Sequence, residues 1–223
     1  MQVLDFKPKA IIFDLNGTMI NDMEYHTKAW HSIITEDLGE SNSYESVKKE
    51  MYGKNPEVLE RIFGRNRFTP EEIISLSDEK EKRYQENYFP HLALIEGLDE
   101  FLKRAKNNGV SMAIGSAAIL FNIDFVLDGL KIRSYFESIV SADDVEISKP
   151  HPESFLKAAD ALGVNPADCL VFEDAPKGVE SAHNAGMKCI VLTTTHDLEE
   201  FAEYSNILGF IDNFKNPILT TLL

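Results

Sequence analysis

Short apolar runs punctuate the chain at Ala10 to Leu15, Val110 to Gly115, Ser138 to Ala142, Leu170 to Phe172 and Ile190 to Leu192, with a weaker one at Gly209 to Ile211. They lack the alternation of a half-exposed strand, so each is read as a strand covered on both faces. Helical patterns separate most of them. Gly97 to Lys106 carries Leu98, Phe101, Leu102 and Ala105 on one face and stops at Asn107-Asn108-Gly109. Pro152 to Leu162 repeats the design with Phe155, Leu156, Ala158, Ala159 and Leu162 ahead of Gly163. Strands alternating with such helices predict βαβ crossovers: an α/β fold with a Rossmann-like parallel sheet and helices on both faces.

The stretch 21–92 breaks this rhythm, offering helical segments and no convincing strand. It is read as an inserted helical domain, leaving 1–20 and 93–223 as the α/β core. Within it, Thr69-Pro70-Glu71-Glu72 has the form of an N-cap followed by proline at the first helical position. Ser77 to Asn87 is mostly charged and is expected to be a solvated helix face.

Composition narrows the partners. The chain has 223 residues, 43% of them hydrophobic, enough for a sizeable core. A formal charge of −15 argues against nucleic acid, whose phosphates demand clustered Lys and Arg. An anionic metabolite remains compatible if a metal or a few placed lysines supply local positive charge. No run approaches membrane-spanning length, and the start Met-Gln-Val-Leu-Asp-Phe-Lys-Pro has neither the basic beginning nor the apolar run of a signal peptide. The expectation is a cytoplasmic monomer without membrane partners. Cys169 and Cys189 each open an apolar run and are read as core thiols.

The polar residues ending these strands carry the candidate chemistry, because open α/β sheets bind ligands beyond the carboxyl ends of their strands. Asp14 ends the first apolar run, before the turn Asn16-Gly17. Ser116 and Ala117 follow the second. Lys149 follows the third in Ser148-Lys149-Pro150, and Glu173-Asp174 stand at the mouth of the fourth. Taken singly, Ser116 has the look of a helix cap, Lys149 of a loop residue and Asp174 of a capping carboxylate. Two adjacent carboxylates in register with Asp14 call for a cation, and hard oxygen ligands completed by water and a substrate phosphate suit magnesium.

In order and spacing these residues resemble the four motifs of the haloacid dehalogenase-like (HAD) phosphohydrolases, and the insert resembles the helical cap of their β-phosphoglucomutase-like branch. The resemblance implies that Asp14 attacks phosphorus to form an aspartyl-phosphate. It implies that Ser116 and the backbone at Ala117 bind the phosphoryl group, and that Lys149 neutralises the nucleophile and the phosphoryl oxygens. Magnesium would be held by Asp14, Glu173, Asp174 and the main-chain carbonyl of Asn16. The family's second aspartate, the general acid and base, is Asn16 here, and an amide has no proton to exchange near neutral pH. In the insert, the segment Asn21 to His26 followed by Ala29-Trp30 resembles the branch's entry segment, giving His26 a role in proton control or domain closure, against the alternative of a packing residue. Pro56 stands where the mutases carry a phosphate-gripping arginine, leaving Lys54 as a less specific substitute. The implied activity is hydrolysis of a small phosphorylated metabolite such as a sugar phosphate. A phosphomutase and a catalytically silent phosphate-binding protein are the alternatives; the retained metal carboxylates disfavour a dehalogenase.

Overall fold

Strands β1 (Ala10–Phe13), β2 (Ser111–Gly115), β3 (Ser138–Val140), β4 (Cys169–Glu173), β5 (Lys188–Leu192) and β6 (Ile207–Ile211) form one sheet in the order β3-β2-β1-β4-β5-β6, every pairing parallel. This arrangement belongs to a computed structural model that describes residues 4–223; residues 1–3, part of the stretch read above for a leader, lie outside it. The chain builds outward from β1 to β3, returns to lay β4 on the other side of β1, and builds outward again. The order therefore reverses between β1 and β4, the switch point where such sheets open a ligand crevice.

The helices are α1 (Met23–Ser32), α2 (Tyr44–Lys48), α3 (Asn55–Phe63), α4 (Pro70–Tyr88), α5 (Leu98–Asn107), α6 (Leu120–Gly129), α7 (Glu153–Ala161) and α8 (Pro176–Asn184). No helix among the described residues is long and apolar enough to cross a membrane. The chain divides into two compact units, one running through Asn21 and resuming over Ala93–Leu223, the other Asp22–Leu92.

In the first unit, side chains alternate between the two covered faces of the sheet. Ala10, Ile12, Cys169, Val171, Cys189 and Val191 face a core completed by Phe155 and Ala158 of α7 and by Val179 and Ala182 of α8. On the other face Phe13 and Phe172 stack at 5.3 Å, with Phe101 of α5 edge-on to Phe172 at 5.4 Å. Both β1 faces are completely buried, which is why its sequence shows no polar alternation.

The second unit is helical. α1 continues into a π-helical turn at Ile33–Asp37, and Trp30, Ile33, Ile34, Val47, Val58 and Leu59 form its core. α4 begins as expected: the Thr69 hydroxyl accepts from the Glu72 N–H at 3.2 Å, and the Glu72 carboxylate accepts from the Thr69 N–H at 2.8 Å. The solvated face expected over Ser77 to Asn87 needs correction, because Lys80 and Glu81 are buried along with Tyr84. They are buried as a pair: the Lys80 ammonium lies 3.0 Å from each Glu81 oxygen, and Asn55 donates to Glu81 at 2.7 Å.

Candidate active site

The pairing of Phe13 with Phe172 sets Asp14 and Glu173 at the same level on neighbouring strands, and the Asp14 N–H extends the ladder to the Phe172 carbonyl at 3.0 Å. Lys149 enters from the loop after β3. Its ammonium lies 2.7 Å from Asp14 Oδ1 and 2.8 Å from Glu173 Oε1, so one buried cation ties the two strands' carboxylates together. Asp14, Glu173 and Asp174 are 6%, 2% and 4% exposed, and each offers an oxygen within 4.8 Å of the others.

The electrostatics do not balance. Burial works against the Lys149 charge, yet the carboxylates of Asp14 and Glu173 prevail and hold its pKa above the ordinary lysine value. For Asp174, burial and then the charges of Glu173 and Asp14 push the carboxyl well above its usual range, against the opposing hydrogen bonds from Thr195 and Thr18. Among the described residues three buried carboxylates converge here, and like charges held together out of water are costly. This donor set of hard oxygens with surplus negative charge fits a divalent cation.

Hydrogen bonds fix each carboxylate. Glu173 Oε2 accepts from the N–H groups of Asp174 and Ala175, both at 2.8 Å, while its Oε1 takes Lys149. Asp174 accepts the Thr18 hydroxyl on Oδ1 at 3.1 Å and the Thr195 hydroxyl on Oδ2. Two glycines make room. Gly17, at φ 76°, lies against the Asp174 carboxylate, and Gly178 in α8 lies against that of Glu173; a Cβ at either position would overlap those oxygens. Asn16 sits on the same turn, two residues beyond Asp14, and is partly exposed.

Ser116 is buried just past the end of β2, beside β1 in the sheet. Its Oγ accepts from the Ala118 N–H at 3.1 Å, which leaves the hydroxyl proton to donate; Ala117 between them is partly buried. The structure thus brings Asp14, Lys149, Glu173 and Asp174 into direct contact range and sets Ser116 and Ala117 on the adjoining strand end.

His26 and Lys54 belong to the second unit. His26 stacks on Tyr84 at 3.7 Å, with Nδ1 2.7 Å from the Lys80 Nζ and Nε2 3.3 Å from Asp22 Oδ2. An ammonium only donates, so Nδ1 accepts and the N–H at Nε2 is directed to Asp22. Lys54 caps α3 in extended conformation, its backbone N–H donating to Glu57 at 2.8 Å.

Sequence reasoning gave no role to Thr18, Thr194, Thr195 or His196. Thr194 donates to the Gly17 carbonyl at 2.5 Å, and Thr195 contacts Asp174 and, at 2.8 Å, His196 Nδ1. The run Thr193-Thr194-Thr195-His196 directly after an apolar strand was the available signal.

Comparison with known proteins agrees with this geometry. The profile of the family described as haloacid dehalogenase-like hydrolase matches residues 11–192. The chain is 32% identical to beta-phosphoglucomutase of Bacillus subtilis over 80% of either chain. It is 28% identical to validoxylamine A 7'-phosphate phosphatase of Streptomyces hygroscopicus, over 94% of this chain and 97% of that one. The crystal structure of beta-phosphoglucomutase from Clostridium difficile superimposes with a TM-score of 0.79 at 25% identity, covering 93% of this chain and 92% of that one. With its Asp14, Lys149 and Glu173-Asp174 assembled at the switch point of a parallel sheet, the chain belongs to the haloacid dehalogenase-like hydrolases and has relatives in their β-phosphoglucomutase branch.

Proposed function

We propose that this chain is a magnesium-dependent phosphohydrolase that cleaves a small phosphorylated metabolite, of the sugar phosphate class, through an aspartyl-phosphate on Asp14. The observation that carries this reading is the buried Lys149 ammonium bridging Asp14 and Glu173 at 2.7 and 2.8 Å beside Asp174. An ammonium at this distance favours the carboxylate form that a nucleophile needs. By holding Oδ1, Lys149 also fixes the rotation of the carboxylate.

In the first step an Asp14 oxygen bonds to phosphorus in line with the departing oxygen, and the bond to that oxygen breaks. Lys149, the Ser116 hydroxyl and the Ala117 backbone receive the charge spreading over the equatorial oxygens. The leaving alkoxide takes its proton from water, since the Asn16 amide has none to give. Water then attacks the acyl-phosphate, releasing inorganic phosphate and restoring the carboxylate. Asp14, Glu173, Asp174 and the Asn16 carbonyl would hold magnesium, which would neutralise charge on the phosphoryl oxygens. Relatives named as a phosphoglucomutase and a phosphate phosphatase support the substrate class. Pro56, where the mutases carry an arginine, favours hydrolysis over transfer between two phosphates.

Asn16 also favours a second reading, a phosphate-binding protein without turnover. The two separate in one experiment. General acid–base help is worth about 10²- to 10⁴-fold, so the Asn16→Asp variant should gain by that order in single-turnover phosphorylation by a sugar phosphate. It should gain less with p-nitrophenyl phosphate, whose leaving group departs unprotonated. A folded, magnesium-bound Asn16→Asp variant that remains inert across a broad panel of phosphate esters would replace the enzyme with the binding protein.

A further inference from the structure

The loop after β5 grips both turns that carry the acidic cluster, although β5 adjoins only one of their strands. β5 lies beside β4, and β1 lies beyond it. Even so, Thr194 reaches the Gly17 carbonyl on the turn after β1 at 2.5 Å, while Thr195 Oγ1 meets Asp174 after β4, through its Oδ2 and through its carbonyl oxygen at 3.1 Å. The other Asp174 oxygen takes Thr18 at 3.1 Å. Each oxygen of this buried carboxylate therefore accepts one hydroxyl, and its remaining lone pairs have a set direction.

His196 decides how the Thr195 hydroxyl is used. That hydroxyl has one proton, and His196 Nδ1 is 2.8 Å from its oxygen. When the imidazole carries its proton on Nδ1 and donates it to Oγ1, the Thr195 proton is committed to Asp174. The ring packs edge-on against the buried Phe201 at 6.3 Å, which holds Nδ1 in place.

We propose that Thr195, with its hydroxyl held by His196, is a positioning residue that aims the Asp174 carboxylate at the bound divalent cation. This rests on the reading that Asp174 is a cation ligand. Groups that orient a metal ligand typically contribute about 10- to 100-fold to affinity. A threonine that merely satisfies a buried carboxylate would contribute to folding stability and leave affinity alone.

The test is calorimetric titration of the full chain with magnesium chloride, alongside the melting temperature of each metal-free variant. Thr195→Val should bind about 10- to 100-fold more weakly, and Thr195→Ser, which restores the hydroxyl, should return within about threefold of the parent. His196→Phe keeps the packing on Phe201 and removes the donor; it should weaken binding by at least about threefold. Should Thr195→Val fail to fold, Thr195→Ala against Thr195→Ser makes the same comparison. Unchanged affinity in Thr195→Val, or a serine variant as weak as the valine one, would overturn the proposal. A parent chain that binds no magnesium, or an Asp174→Asn variant that binds like the parent, would instead remove the cation site itself, and the proposal with it.

Discussion

Replacing Lys149 by methionine keeps most of the buried volume and deletes the ammonium that joins Asp14 to Glu173. With contacts of 2.7 and 2.8 Å, each attraction amounts to roughly 6 kcal/mol gross at an effective dielectric of about 20. The cost of desolvating the ammonium, several kcal/mol, disappears with it. What remains is the penalty of carboxylates left buried without their partner, about 3–5 kcal/mol for a broken buried pair. With a urea dependence of roughly 1–3 kcal/mol per molar, the unfolding midpoint of the core should fall by about 1–5 M at pH 8 in chelator. The deficit should depend on pH in a definite direction. Removing the ammonium disfavours the ionised form of the carboxylates it faced, so the folded variant takes up protons at a higher pH than the parent does. The variant's stability then falls as pH rises through that window, and part of the loss returns between pH 8 and 5.5. Magnesium should restore it at constant pH by replacing the missing charge. A loss below about 1 kcal/mol in chelator, or a deficit identical at both pH values, would refute the claim that this ammonium holds the cluster together.

In Gly178→Ala, helix propensity alone would add about 1 kcal/mol, but the new Cβ meets the anchored Glu173 carboxylate; denaturant titration should show a net loss of about 1–3 kcal/mol. Asp174→Asn should abolish magnesium binding measured by calorimetry. Glu173→Gln, whose carboxylate is anchored by Lys149 and two N–H groups, should lose folding stability to a greater degree than it loses magnesium affinity. Burial, opposed by Glu81, lowers the Lys80 pKa, so between that value and the unfolded one the unfolded chain binds more protons and stability rises with pH. Urea midpoints from pH 7.5 to 9.5 should show this rise in the parent and not in Lys80→Met. Lys54→Ala should change discrimination among phosphorylated sugars while leaving p-nitrophenyl phosphate turnover within about twofold, and equal losses on both would remove Lys54 from substrate choice.

What could be read from the sequence follows from how local each signal is. A strand buried on both faces writes itself as a continuous apolar run, so Ala10 to Phe13 and Leu170 to Phe172 announced β1 and β4. Once such runs are taken as parallel, the polar residues that end them share one edge of the sheet. Asp14 and Glu173 could therefore be placed together before any distance was known. Lys80 and Glu81 gave no such signal. A helix of mixed charges reads as solvated, and the groups that receive the buried Lys80–Glu81 pair, His26 at Lys80 and Asn55 at Glu81, lie 54 and 26 residues away along the chain. The threonines after β5 escaped for a related reason. Hydroxyl residues after a strand are ordinary turn formers, and only the sheet order β1-β4-β5 shows that this turn can reach the loops of both acidic strands.

The pair Glu173-Asp174 marks where sequence reading ends. As letters the two carboxylates are interchangeable, and a cation between strands is all they predict. Alternation along the chain then separates them. Glu173, the last residue of β4, turns back onto the N–H groups of Asp174 and Ala175 and across to Lys149, so its charge is answered by the protein. Asp174, one residue beyond the strand, has two hydroxyls and no cation among its hydrogen-bond partners in the described residues, and burial with the charges of Glu173 and Asp14 drives its carboxyl well above the ordinary range. Neutral donors orient a carboxylate without cancelling its charge. The unmet electrostatic demand therefore concentrates at Asp174, so under the proposed cation role the hydroxyls that aim it, rather than the neighbouring glutamate alone, are where affinity should respond to substitution.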